Sequence, residues 1–143
     1  MANSLTYTSA CFMYCVNATA STTQGTKYDI LTSSSSDRRL YGIAVLSSDN
    51  AAQTVKIYLT SATTSVAYQV STVTVAAGSG TNGSAAAVDV FSSTMGESVF
   101  QKTRDANGLA YFNIPANWKI QMDFSGVLTS PETIITHVFG ETY

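Results

Sequence analysis

The stretch QTVKIYLTSATTSVAYQVSTVTVAA, residues 53–77, decides the fold class of this chain. In its first half Val55, Ile57 and Leu59 fall on one face, and polar or amphipathic residues alternate with them. That period of two is typical of a half-buried β-strand. The small polar residues 61–65 follow and predict a turn.

A second strand begins after this turn, with Val66, Tyr68 and Val70 in alternation. The apolar phase then shifts, which predicts a bulge between Ser71 and Val73. The two strands together predict a β-hairpin at the centre of an all-β domain.

The rest of the chain repeats the same kind of pattern around this hairpin. Short strands are predicted over residues 5–16, 27–32, 38–47, 109–114, 118–124 and 132–140. Turn-forming residues separate them, and the segment 92–102 is the one candidate for a short helix. The pattern predicts a single-domain, jelly-roll-like β-sandwich. Residues 1–26 form an N-terminal strand or arm with a polar connector, and residues 27–143 form the sandwich domain.

Two strands supply a predicted core. Residues of the first hairpin strand and of the segment 118–124 should be buried within reach of one another, namely Val55, Ile57, Leu59, Trp118, Ile120, Met122 and Phe124.

The composition favours contact with another protein. Charged residues make up 11% of the chain, whereas 39 of the 143 residues are Ser or Thr. Hydroxyl groups cost less to remove from water than charges, so such a surface is suited to burial in an interface.

Charge and hydropathy argue against two classes of partner. The net charge is −2 and no basic stripe is present, so we expect no binding to nucleic acid. No apolar run is long enough to cross a bilayer, and we expect neither a membrane partner nor a secretory signal.

The sequence contains no convincing active site, and we expect a protein that is not an enzyme and needs no cofactor. His137 is the only histidine, no GxSxG motif is present, and the acidic residues are scattered over turns. Residues 78–83 match GxGxxG, but the alternating strand–helix context that this motif requires is missing.

Cys11 and Cys15 would lie too far apart on one strand for a disulfide and are expected to be free, buried or half-buried thiols. Together with one histidine they cannot complete a zinc site.

Five segments carry a resemblance to a known family. They are GTKYDILT (25–32), RRLYGIAVLSSDNAAQTVKIYLT (38–60), TVTVAAGSGTNGSAAAVDVF (72–91), ANWKIQMDF (116–124) and THVFGETY (136–143). In this succession, residues 26–143 resemble small virion proteins of tailed bacteriophages, in particular capsid decoration or cement proteins.

The resemblance implies a small β-sandwich on the outside of an icosahedral head, made in the host cytoplasm. It implies that the major capsid protein is the partner, that the protein stabilises the capsid lattice, and that it forms a homo-oligomer, most simply a trimer. It provides no catalytic residue. An alternative is a head-fibre or tail module that recognises host-surface carbohydrate, with Tyr41, Tyr58 and Tyr111 as candidate sugar-stacking residues. A cellular β-sandwich hydrolase or lectin is a third class.

The N-terminal strand supplies the candidate contact residues. Segment 5–16 is apolar on both faces, so one sheet can cover only half of it. It either lies between the layers of its own sandwich or crosses a neighbouring subunit or the capsid. We favour the second arrangement, with Phe12, Met13 and Tyr14 as anchors, because large apolar side chains dominate interface energies.

Overall fold

The computed structural model describes residues 10–81, 85–90, 103–104 and 106–143. Ten strands lie within them: β1 (Ala10–Ala18), β2 (Tyr28–Leu31), β3 (Arg38–Ser47), β4 (Gln53–Ser61), β5 (Ala67–Val75), β6 (Val88–Asp89), β7 (Thr103–Arg104), β8 (Ala110–Ile114), β9 (Trp118–Phe124) and β10 (Ile134–Thr142). The segment proposed as a short helix, 92–102, lies outside the described residues.

The strands form two antiparallel sheets. The six-stranded sheet has the order β1-β10-β3-β8-β7, and β6 pairs with the remaining length of β3. The four-stranded sheet has the order β2-β9-β4-β5. This result confirms the predicted all-β sandwich. The order β1-β10-β3-β8 facing β2-β9-β4-β5 is jelly-roll-like, because successive strands repeatedly cross from one sheet to the other.

The central hairpin forms as the alternation predicts, but its bulge lies elsewhere. Ile57 is opposite Ser71 and Tyr58 is opposite Gln69, which leaves Val70 as the extra residue. The predicted position between Ser71 and Val73 is therefore wrong, because the extra residue comes one position before Ser71. The apolar phase changes only after the extra residue, so the sequence pattern marks the shift later than the backbone makes it.

The core lies between the two sheets and contains the predicted residues. Opposed pairs on β4 and β9, including Ile57 with Met122 and Leu59 with Ile120, are buried. Trp118 differs, because it is only partly buried and stacks on Tyr68 with ring centroids 6.0 Å apart. The other sheet contributes residues of β3, β8 and β10, among them Ile43, Val45, Phe112, Ile114, Ile134 and Val138.

Strand β1 is an edge strand of the six-stranded sheet. It pairs with β10 without interruption, from Ala10 opposite Thr142 to Ala18 opposite Ile134. Phe12 and Val16 pack against the core, whereas Met13 is 76% exposed. The sandwich therefore covers one face of this strand and leaves the other face open. A domain boundary at residue 26 stays a prediction.

Candidate interaction surface

The outer face of the six-stranded sheet carries an apolar groove of about 600 Å³. Strands β1, β10 and β3 provide its floor, and the segment around Leu109 provides one wall. We call this feature the apolar groove. Its lining includes Cys11, Met13, Tyr41, Leu109, Ala110 and Phe139.

Phe139 occupies the middle of this surface because Gly42 leaves room for it. The two residues are directly opposite on β10 and β3, and a Cβ atom at position 42 would collide with the Phe139 ring. Tyr41 is the extra residue of a bulge at this point, where Gly140 pairs with Leu40. Phe139 remains 43% exposed, so its ring presents an apolar surface to the outside.

The three predicted anchor residues do not lie on one face of β1. Met13 lies on the outer side, opposite Phe139, and is the most exposed large apolar side chain of β1. Phe12 is half-buried beside Gly140, whose missing side chain makes space for the Phe12 ring. Tyr14 is 47% exposed and lies 5.3 Å from the Phe12 ring centroid. Whether these residues contact a capsid or another subunit stays a prediction.

A polar cluster borders the apolar groove. The Arg39 guanidinium forms an ion pair with Glu141 at 3.0 Å, and the Tyr41 hydroxyl donates to the same carboxylate at 2.7 Å. The guanidinium also lies over the rings of Tyr111 and Tyr143, at 4.8 and 4.4 Å from their centroids. The hydrogen bond to Glu141 raises the pKa of Arg39. The charges of Arg39 and Glu141 thus neutralise each other, which lowers the cost of burying the pair in an interface, although Arg39 Nε has no hydrogen-bond partner among the described residues.

The remaining candidate residues give no catalytic arrangement among the described residues. His137 is half-exposed on the outer face of β10. It lies opposite Cys15 of β1 and Ala44 of β3, and Phe139 follows it two residues later on the same face. In the same part of the chain, no group of three His, Cys, Asp or Glu side chains could hold a metal ion. None of the described helical residues forms a segment long and apolar enough to span a membrane.

The cysteines are free, as expected, but their predicted burial is wrong. Both Cys11 and Cys15 are exposed. They lie on the outer face of β1, which none of the described elements covers, whereas the sequence suggested that both faces of this segment would be buried.

The tyrosines proposed for sugar stacking separate into two environments. Tyr41 and Tyr111 meet edge to face at 6.2 Å on the outer surface of the six-stranded sheet. Tyr58 lies in the other sheet and is 9% exposed, with Lys27 over its ring at 4.7 Å. Tyr58 therefore offers no open ring face.

A polar cleft of about 460 Å³ lies on the four-stranded sheet. Asp29 accepts hydrogen bonds from Gln121 at 2.7 Å and forms an ion pair with Lys119 at 2.9 Å. Thr60 donates to the Gln121 side-chain carbonyl at 2.9 Å. Carboxylate, amide and hydroxyl groups here could bind a polyhydroxylated ligand.

The sequence interpretation missed Phe139, Leu109 and Tyr41 as parts of one surface. The available signal was a large aromatic residue on the face of β10 that points away from the core: Phe139 follows Ile135 and His137 there, on the side opposite to Ile134 and Val138. Sequence alternation marks such a residue, but it does not reveal which strands bring their outward residues together.

Comparisons with known proteins found one distant structural likeness. No family model matches the chain, and no curated protein matches it. A solved structure, the cyanophage Pam1 capsid asymmetric unit, contains a similar chain. The identity is 13%, the match covers 94% of this chain and 84% of that chain, and the TM-score is 0.47. At this TM-score the likeness does not establish a shared fold.

Proposed function

We propose that this chain is a non-enzymatic structural virion protein that binds the outer surface of an icosahedral phage head as a decoration or cement protein. Its partner is the major capsid protein, and its place is the capsid surface after synthesis in the host cytoplasm. The resemblance of residues 26–143 to such proteins suggests the role. The apolar groove, with Met13 at 76% exposure, is the single observation that carries it.

In a complex, this surface would remove large apolar side chains from water. Large exposed apolar side chains rimmed by polar residues are typical of interaction sites. Met13, Leu109 and Phe139 are 76%, 59% and 43% exposed, and all three line the apolar groove. The neighbouring Arg39–Glu141 pair is already formed, so docking would not require a new opposite charge for either side chain.

Stabilisation of a capsid lattice follows if one copy of the protein contacts more than one capsid subunit. A homo-oligomer, which the sequence interpretation puts at three copies, would multiply such contacts through effective concentration. Nucleic acid and membrane have no part in the proposed role.

The test is binding to capsids of the encoding phage that were assembled without this protein. Co-sedimentation should recover the wild-type chain with the capsids and should raise the temperature at which they disrupt. Met13→Asp should weaken binding at least tenfold, because it places a charge in the apolar contact. Val127→Asp is the matched control, since Val127 is 72% exposed and does not line the groove.

Two outcomes would contradict the proposal. If the wild-type chain stays in the supernatant at micromolar concentrations, the capsid is not its partner. If Met13→Asp and Val127→Asp bind equally to the wild-type level, the apolar groove is not the contact.

The alternative role is a head-fibre or tail module that recognises host-surface carbohydrate. The polar cleft around Asp29 and Gln121 is the observation that favours it. A glycan array probed with wild-type protein and with Gln121→Ala tests this role. Glycan binding that the substitution abolishes, together with no capsid binding, would replace the decoration role with this one.

A further inference from the structure

Among the described strands, none pairs with the side of β1 that faces away from β10. In an antiparallel ladder, the N–H and C=O of a residue point to the same neighbouring strand, and successive residues alternate. Ser48 N donates to Thr133 O at 3.0 Å, and Tyr143 N donates to Asp37 O at 3.2 Å. Odd-numbered residues at both ends of β10 therefore bond towards β3.

The even-numbered residues of β10 consequently bond towards β1. Their opposite residues on β1 are also even-numbered, for example Phe12 opposite Gly140 and Tyr14 opposite Val138. The odd-numbered residues of β1 direct their N–H and C=O away from β10. These residues are Cys11, Met13, Cys15 and Asn17, and we call this side of the strand the open edge. Among the described residues, β10 is the only strand that pairs with β1.

This edge lacks the features by which sheet proteins prevent edge-to-edge association. Such features are shortness, bulges, prolines and charged residues. The terminal strands β2 and β7 have four and two residues, and the register of β5 with β4 is interrupted at Val70. In contrast, β1 has nine residues, ACFMYCVNA, with no charge or proline and with an unbroken register.

The sequence of β1 is complementary to itself in the antiparallel direction. If Met13 lies opposite Met13 of a second copy, Cys11 lies opposite Cys15 and Phe12 lies opposite Tyr14. Every opposed pair is then apolar or weakly polar, and no like charges meet. Cys11, Met13 and Cys15 of the open edge then meet odd-numbered residues of the second copy, so the N–H of each finds a C=O across the new contact.

We propose that β1 pairs antiparallel with β1 of a second copy of this chain, around a two-fold axis at Met13. The pairing joins two six-stranded sheets into one continuous sheet and is isologous, as two-fold contacts are. It also brings two apolar grooves side by side on one outer face. The pairing does not rest on the proposed capsid role, because it uses the backbone edge of β1, whereas the capsid contact would use side chains on the outer face, Met13 among them. A three-fold contact through another surface is compatible with it.

Disulfide trapping with the native cysteines tests both the contact and its register. Residues in a hydrogen-bonded antiparallel pair have Cα atoms about 5.5 Å apart, within the range that a disulfide can bridge. Mild oxidation of the wild-type chain should therefore give a covalent dimer between Cys11 and Cys15 of the two copies. Cys11→Ser and Cys15→Ser should each abolish this product, because the remaining cysteine then faces a serine.

Two results of the trapping experiment would overturn the proposal. One is a wild-type chain that stays monomeric on a non-reducing gel. The other is cross-linking by either single variant at the wild-type rate, which would indicate random collision or another register.

A proline substitution provides a second readout without oxidation. Met13→Pro removes an N–H from the open edge and leaves the bonds between β1 and β10 intact, as prolines in edge strands do. Light scattering should then shift from twice 15.1 kDa to 15.1 kDa, with a small change in melting temperature. The matched variant Tyr14→Pro removes a bond to β10 and should instead lower the melting temperature. A Met13→Pro chain that remains dimeric refutes the pairing.

Discussion

The Tyr58 hydroxyl stabilises the face of β4 that the sequence alternation predicts to be exposed. It lies opposite Gln121 in the four-stranded sheet, and its hydroxyl donates to Asp123 at 2.8 Å. Burial and this hydrogen bond raise the pKa of Tyr58 to about 12. The neutral hydroxyl contributes stability that is present below the unfolded pKa of about 10 and is lost as the pH rises through 12.

We expect Tyr58→Phe to lower the free energy of unfolding by roughly 1–3 kcal/mol, because the buried carboxylate of Asp123 loses a donor. Urea denaturation at pH 7 measures the change. Tyr68→Phe is the matched control, since Tyr68 is 50% exposed and keeps its ring contact with Trp118 without the hydroxyl. Equal stability of both variants would show that Asp123 does not depend on Tyr58.

Glu132 is a second residue whose ionisation destabilises the folded state. The pKa of Glu132 is raised, most strongly by desolvation and then by a hydrogen bond to Asp49 and by the charge of Asp49. A carboxyl group whose pKa is raised in the folded state binds its proton more tightly there than in the unfolded chain. Stability therefore falls as the pH rises through the folded pKa of Glu132.

We expect Glu132→Gln to be more stable than the wild type near pH 7, because the amide is neutral at every pH. The difference should shrink and vanish at pH values well below the ordinary glutamate pKa of about 4.3, where the wild-type side chain is also neutral. Urea denaturation of both chains across this range measures the difference. A difference that stays constant with pH would assign the effect to packing instead.

At the scale of elements, β1 combines a core-facing side and an open side. The sequence interpretation recognised that both faces are apolar and that one sheet could cover only one of them. It favoured an arm on a neighbouring subunit or the capsid over an internal strand, without access to the fact that decides the matter, which is the strand that pairs with β1. The partner is β10, at the other end of the chain, and no local pattern encodes this pairing.

One substitution on each face of β1 distinguishes the side that packs against the core from the side that does not. Val16→Asp should lower the free energy of unfolding by roughly 1–3 kcal/mol, since Val16 packs against the core. For the separated monomer, Met13→Asp should change it by less than about 0.5 kcal/mol, because Met13 is 76% exposed in the single chain. Chemical denaturation measures both. If Val16→Asp proves neutral, β1 is not docked on its own sandwich.

At the scale of the whole molecule, the sequence predicts strands and core more successfully than surfaces. The bounds of β3 and β9 coincide with the predicted segments 38–47 and 118–124, because turn-forming residues border both segments. The apolar groove was not predicted, since it combines β1, β3, β10 and the residues before β8, which are distant in sequence. The anchors Phe12, Met13 and Tyr14 were found from β1 alone, without the neighbours that give Met13 its surroundings.

The topology also predicts the order in which the two sheets form. Strands β4 and β5 are joined by a short turn, whereas β1 and β10 come from opposite ends of the chain and close a long loop. Loop closure costs more entropy for distant partners, so local pairing is expected to form first. Ile57 in β4 and Ile134 in β10 are both fully buried, which allows the same substitution in both elements.

Ile57→Val and Ile134→Val should each destabilise the protein by about 0.5–1.5 kcal/mol, but through different rates. We expect Ile57→Val to slow refolding, because the central hairpin is already formed in the transition state. Ile134→Val should mainly accelerate unfolding, since a contact made after the transition state affects that rate alone. Stopped-flow refolding and unfolding across a range of urea concentrations measures both rates. If Ile134→Val slows refolding by its whole loss of stability, the terminal strands pair early and the hairpin does not lead the folding of this sandwich.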